Sequence, residues 1–173
     1  RGPRPTAPPP PDALGAAGIG LAEAKLPEGQ DRESLARLRD AGLKATICLP
    51  AGLSVLPLPA FPGPDDPEER IASLCASVRR LAAFDPETVL CLTGPVGERD
   101  PQEARRIVVD GLREVARTGA EVGVRVALET GQEDAATLIG VLAELREVSG
   151  VDGAAYIGVN FDPANMILYG TGE

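Results

Sequence analysis

Short apolar runs alternate with amphipathic stretches along most of the chain, and the alternation is regular. GIGLAEA, KATICL, TVLCLTG, VRVALE and AAYIGVNFD are apolar runs that predict five strands, and most lack the in-out alternation of a half-exposed sheet. Between them, apolar residues recur every three or four positions, which predicts helices. Leu35 and Leu38 share one face of the first helix, and Gly42 is placed to end it. The second opens on Asp66 as cap, Pro67 at the first helical position and Glu68 and Glu69 facing the dipole. Ile71, Leu74, Cys75, Val78 and Leu81 form its buried stripe. Asp100 and Pro101 repeat that opening for the third helix, with Ile107, Val108, Leu112 and Val115 as its stripe and Gly119 as its end. Thr130 and Glu133 have the spacing of a capping box. They predict the start of a fourth helix carrying Leu138, Ile139, Leu142 and Leu145.

Strict alternation of apolar strands with helices implies a parallel sheet covered by helices. Two architectures satisfy it: an open doubly wound sheet and a (β/α)8 TIM barrel. No GxGxxG or GxxxxGK[ST] follows any of the runs, so the nucleotide-binding versions of the open sheet lose their main support. Polar residues instead close several strands in turn, which suits the rim of a barrel. A complete barrel has eight strands and typically ~250 residues. The α/β fold expected here is therefore an incomplete TIM barrel of about five βα units. Residues 1–14 are Pro-rich at their start (RGPRPTAPPPPD) and read as a linker or frayed segment, which leaves 15–173 as the partial barrel.

Composition narrows the chemistry. Only 3% of the residues are aromatic and there is no Trp, so the core must be built from aliphatic side chains. A net charge of -9, with Lys25 and Lys44 the only lysines, argues against a nucleic-acid surface. No apolar run is long enough for a membrane span, and no signal-peptide pattern opens the chain, so a cytoplasmic location is expected. Cys48, Cys75 and Cys91 lack CxxC spacing and read as buried thiols of a reducing compartment. The chain has no histidine, which removes Ser-His and Cys-His catalysis and the commonest zinc ligand.

Two carboxylates stand out: Glu129 closes VRVALE and Asp162 closes YIGVNFD. Parallel βα units deliver strand ends to one rim, and adjacent strands lie roughly 4.8 Å apart. Carboxylates that close repel unless a proton or a cation sits between them. Local pattern offers simpler roles as well. Glu129 precedes a helix whose dipole favours an acid, and Asp162 before Pro163 has the form of an N-cap. Glu23 and Lys25 end the first strand, where they either meet substrate or lie on a solvated rim. Asn160 faces either core or rim.

GIGLAEAKL, VALETGQE and above all GVNFDPANMILYG (158–170) resemble the sugar phosphate isomerase/epimerase family of xylose-isomerase-like TIM barrels. The order and spacing of the strands match that family from its second strand to its sixth. The resemblance implies that Glu129 and Asp162 are two of four ligands to a divalent cation, manganese first, with magnesium, cobalt or zinc as alternatives. The remaining His and Glu would come from a seventh and an eighth strand. It further implies proton transfer beside a carbonyl through a metal-stabilised enediolate, with Glu129 moving the proton, on a small sugar or sugar phosphate. The family often continues its Asp as Asp-x-x-His; here that position is Asn165, which hydrogen-bonds substrate but transfers no proton at neutral pH. As a fragment the chain should be inactive; were these residues the whole protein, two unpaired sheet edges would favour aggregation or a homo-oligomer. The competing expectations are a non-catalytic barrel that binds a sugar or a protein partner and, last, an AP-endonuclease-like nuclease.

Overall fold

Each of the five apolar runs forms a strand, and each strand leads into a helix. A computed structural model describes residues 21–25, 31–49, 54–58, 63–94, 101–148 and 156–170. The order is β1 (Leu21–Lys25), α1 (Asp31–Asp40), β2 (Lys44–Cys48), α2 (Pro67–Ala82) and β3 (Thr88–Cys91). It continues with α3 (Pro101–Val122), β4 (Val126–Glu129), α4 (Ala135–Val148), β5 (Ile157–Asn160) and α5 (Pro163–Tyr169). The strands pair in parallel in the order β1-β2-β3-β4-β5. A doubly wound sheet reverses its strand order at a switch point. Here each strand adds to the same side of the last, as in a barrel. The Pro-rich segment of residues 1–14 and the Asp100 cap lie outside the described residues.

Register sorts the side chains into two faces. Ile47, Val89, Val126 and Ile157 align in one rank across β2 to β5, and all four belong to the buried core. Leu74, Val78 and Leu81 of α2, Val108, Leu112 and Val115 of α3, and Val141 and Leu145 of α4 complete that core. Because side chains alternate across a strand, the next rank points away from the helices: Cys48, Leu90, Ala127 and Gly158. Glu129 and Asn160, two positions further along β4 and β5, lie on this same inner face.

Most helix ends follow from local chemistry. Asp66 caps α2, its Oδ1 accepting from the N–H groups of Glu68 and Glu69 at 2.7 and 3.1 Å. Gly42, at φ +74°, ends α1, and its N–H and that of Leu43 reach back to the carbonyls of Arg39 and Leu38. α3 departs from expectation. It runs past Gly119 to Val122 and closes in the same way on Gly123, at φ +73°. Gly119 is small for a different reason: a Cβ there would lie 2.6 Å from the Val124 carbonyl oxygen, which accepts no such approach. The stripe of α4 is also narrower than expected. Ile139 is 66% exposed, and Val141 is buried in its place.

The three cysteines form no disulfide; Cys75 and Cys91 are buried, and Cys48 is half-buried. Burial pushes the Cys91 thiol up to about 12, and it raises that of Cys75 as well. Among the described residues no helix is long and apolar enough to cross a membrane.

Candidate functional site at the rim of β4 and β5

The residues that follow Glu129 do not open a helix. α4 starts five positions later than Thr130, and its cap is Asp134, whose Oδ1 accepts from the Thr137 N–H at 2.7 Å. The expected capping box of Thr130 and Glu133 is therefore absent. A carboxylate beside the first turn is a strong cap, and Thr130 is engaged elsewhere. Its hydroxyl accepts from the Asp162 N–H at 2.8 Å and donates to the Asp162 carbonyl at 3.2 Å. The Thr130 N–H donates to the Asn160 carbonyl at 3.3 Å. Thr130 is only 6% exposed, so these bonds form where water does not compete. One threonine thus ties the end of β4 to the turn that leaves β5.

Glu129 is half-buried and pairs in register with Asn160, not with Asp162. The Asn160 amide donates from Nδ2 to Glu129 Oε2 at 2.9 Å. A carboxylate accepts only, so it must be the amide nitrogen that faces it. Asp162 lies two residues beyond the strand and caps α5. Its Oδ1 accepts from the N–H groups of Ala164 and Asn165 at 2.8 and 3.2 Å, and Pro163 occupies the first helical position. The N-cap geometry that the Asp-Pro pair suggests is present.

Gly131 and Gln132 complete the rim. Gly131 has φ +123°, and a Cβ on it would lie 2.8 Å from Tyr169 Cδ2 and 2.9 Å from Asn165 Cβ, so α5 rests directly on the backbone. Gln132 Oε1 accepts the Gly94 N–H at 3.0 Å, linking this turn to the end of β3. Gly94 in turn lies beneath the Leu56 carbonyl, which occupies the space a Cβ on it would need. Leu56 and Val55 bond back to Thr93 and Leu92, and the buried Arg70 (1% exposed) donates to the Ser54 carbonyl at 3.3 Å. The rim is one hydrogen-bonded belt from α2 to α5.

The structure brings Glu129, Asp162 and Asn165 together at one end of the sheet. Asn165 is half-buried against Gly131. Glu23 and Lys25 fall on β1, in register with Thr46 and Cys48, with β2 and β3 between them and β4. Asn160, Thr130 and Gln132 are the site residues that sequence reasoning did not assign. Their signal lay in the same two motifs, VALETGQE and GVNFDPAN, but their partners are 31 to 38 positions away. Glu129 and Asp162 offer hard carboxylate oxygens, the donor type that suits magnesium or manganese. Among the described residues no group of three or more His, Cys, Asp or Glu lies together. The donor chemistry of the pair suits such a cation.

A parallel sheet in sequential order, each strand leading into a helix, is the arrangement of a βα-barrel. Residues 12–173 match the family model described as xylose isomerase-like TIM barrel, and the chain belongs to that family. Among solved structures it is similar to a xylose isomerase domain protein from Planctomyces limnophilus, at 23% identity and TM-score 0.64. That likeness covers 94% of this chain and 61% of the other. An L-ribulose 3-epimerase is 19% identical with TM-score 0.65, over 88% of this chain and 53% of that one. An AP endonuclease of family 2 from Brucella melitensis is 15% identical with TM-score 0.65, over 90% and 62%. Identities this low show the shared fold. The chain spans between 53% and 62% of the length of these three proteins. No curated protein matches it.

Proposed function

We propose that the chain carries part of the metal site of a sugar or sugar-phosphate isomerase or epimerase. Glu129 and Asp162 would supply two oxygen ligands to a divalent cation, manganese by preference. The observation that carries this reading is the rim itself: two carboxylates at the ends of neighbouring strands, that of Glu129 bonded by the Asn160 amide and Asp162 held through its backbone by Thr130. A divalent cation supplies polarisation of a substrate carbonyl and charge neutralisation of an enediolate. Asp162 has Oδ1 committed to the α5 cap, so it would bind through its other oxygen. Glu129 sits on the inner face, where it would take a proton from the carbon beside the carbonyl and return it. Asn165, at the first turn of α5, would hydrogen-bond a substrate hydroxyl or carbonyl. Lys25, the last residue of β1, and Glu23, two residues before it, would reach the same substrate only across a closed barrel.

The family and the likeness to an L-ribulose 3-epimerase support a sugar substrate. A nuclease reading has a structural neighbour too, but a net charge of -9 is a poor match for a phosphate backbone. Turnover belongs to the intact protein, since a pair of carboxylates holds a divalent cation weakly.

The test is deuterium exchange. The intact protein, with manganese and a panel of ketoses in D2O, should introduce deuterium beside the carbonyl, read by NMR. Glu129→Gln should abolish exchange while the protein stays folded. Binding of a ketose with no exchange would leave a non-catalytic sugar-binding barrel as the better account.

A further inference from the structure

We propose that Asn160 is a positioning residue that holds the Glu129 carboxylate in its working orientation. This rests on the role proposed above for Glu129 and extends it to a neighbour with no ligand chemistry of its own. Three observations carry it. Asn160 is the register partner of Glu129, so the two side chains emerge side by side on the inner face. Its Nδ2 donates to Glu129 Oε2 at 2.9 Å, and its own carbonyl receives the Thr130 N–H at 3.3 Å. It therefore holds both the Glu129 side chain and the Glu129–Thr130 peptide that follows it.

The residue type suits the task. A glutamate side chain has three rotatable bonds, and a donor fixed by the sheet ladder removes most of that freedom before any ligand arrives. An amide does not titrate, so it donates at every pH. It also adds no charge that would compete with a cation or repel one. A carboxylate oxygen has two lone pairs, so the bond from Asn160 leaves Oε2 able to accept again. Partners that orient a ligand in this way commonly change metal affinity or activity by about 10–100-fold when removed.

The experiment uses the intact protein and three variants, Asn160→Leu, Asn160→Gln and Asn160→Asp, with Glu129→Gln alongside. Manganese affinity is measured directly from the EPR signal of the free ion, turnover from deuterium exchange, and fold from thermal unfolding. Asn160→Leu should weaken manganese binding and lower kcat by about 10-fold or more, with the unfolding temperature little changed. Asn160→Gln keeps an amide donor and should recover part of both. Asn160→Asp is isosteric; it should retain manganese affinity through its charge yet lose turnover, because it repels Glu129. Losses below about threefold in both affinity and kcat for Asn160→Leu overturn the proposal. If that variant does not fold, Asn160→Asp decides, and unchanged kcat overturns it. A Glu129→Gln protein that binds manganese and turns over normally defeats the proposed function itself, whatever Asn160 does.

Discussion

Gly131 is where backbone, helix packing and the candidate site meet, and Gly131→Ala should be unusually costly for so small a change. Two effects add. The residue has φ +123°, outside the conformations L side chains favour. The new Cβ would also lie 2.8 Å from Tyr169 Cδ2, 2.9 Å from Asn165 Cβ and 3.0 Å from the Asn165 carbonyl carbon. The tyrosine ring is exposed enough to swing aside, but the Asn165 backbone is fixed by the Asp162 cap. Gly123→Ala provides the control, because Gly123 has φ +73° with nothing within 4 Å of its Cβ position. Backbone strain of about 1–2 kcal/mol, less about 0.4–1 kcal/mol gained from a stiffer unfolded chain, predicts roughly 1 kcal/mol for that control. Crowding a packed contact adds about 1–3 kcal/mol, which places Gly131→Ala at roughly 2–4 kcal/mol. Urea unfolding of the two variants should show the difference in midpoint with an unchanged slope. Moving α5 also moves Asp162, so manganese affinity should fall for Gly131→Ala and not for Gly123→Ala. Equal destabilisation by the two substitutions would refute the claim that α5 rests on this backbone.

Three further outcomes follow from the same structure. Thr130→Val keeps the shape of a 6% exposed side chain but leaves the Asp162 N–H without its acceptor, which should cost about 1–3 kcal/mol in urea unfolding. Thr130→Ser should cost much less, and a valine variant as stable as wild type would mean the hydroxyl bridge carries no weight. In the folded chain a thiol reagent at mildly alkaline pH should label Cys48 and spare Cys75 and Cys91, whose thiols burial raises, that of Cys91 to about 12; labelling of Cys91 at the rate of Cys48 would count against that packing. The Asp134 carboxyl is held below its ordinary range, first by the backbone bond from Thr137 and then by that residue's side chain. A depressed folded pKa gives stability that is present above the unfolded value, about 3.9, and lost as pH falls through the folded one. Asn caps as well as Asp but does not titrate, so Asp134→Asn should flatten the acid limb of stability against pH; an unchanged limb would show that the cap does not sense protonation.

What the chain discloses on its own depends on how local the determining interaction is. Asp66 caps α2 through residues two and three positions away, and Gly42 closes α1 within one turn, so both could be read from spacing. The apolar ranks of β2 to β5 were equally plain, since buried parallel strands need side chains that are apolar on both faces. Gly119 misled because a glycine after a helical stripe usually ends the helix, whereas this one exists to admit the Val124 carbonyl. Thr130 misled in the same manner. The pattern Thr-x-x-Glu is a cap only if the helix begins there, and the competing partner for its hydroxyl lies 32 positions away, just beyond another strand. Asn160 could not be assigned because its face depends on register with β4, which the spacing of residues does not fix. Glu129 and Asp162 were recognisable as a pair through their motifs, but not the way each is oriented.

The position of these residues in the sheet adds a structural reason for reading the rim as part of a larger site. Strand order is sequential, so β5 is the edge at which a barrel of this kind would continue. Apart from Ile139 on α4, the large apolar side chains left exposed among the described residues belong to β5 and α5: Val159 at 39%, Phe161 at 70%, Ile167 and Leu168 at 73%, and Tyr169 at 56%. Fully burying a side chain of this size contributes about 1.5–3 kcal/mol, so covering these residues would be favourable. In the proposed parent enzyme, the next βα units would cover them. Asn160 and Asp162 stand on this same edge, one strand from Glu129. The strand that covered these apolar residues would therefore end beside Asp162, and a ligand at its C-terminal end would be adjacent to the two carboxylates. In that proposed parent, closing the barrel and completing the cation site would be a single event, and a change that keeps the edge open, such as a charge at Leu168, should weaken both together.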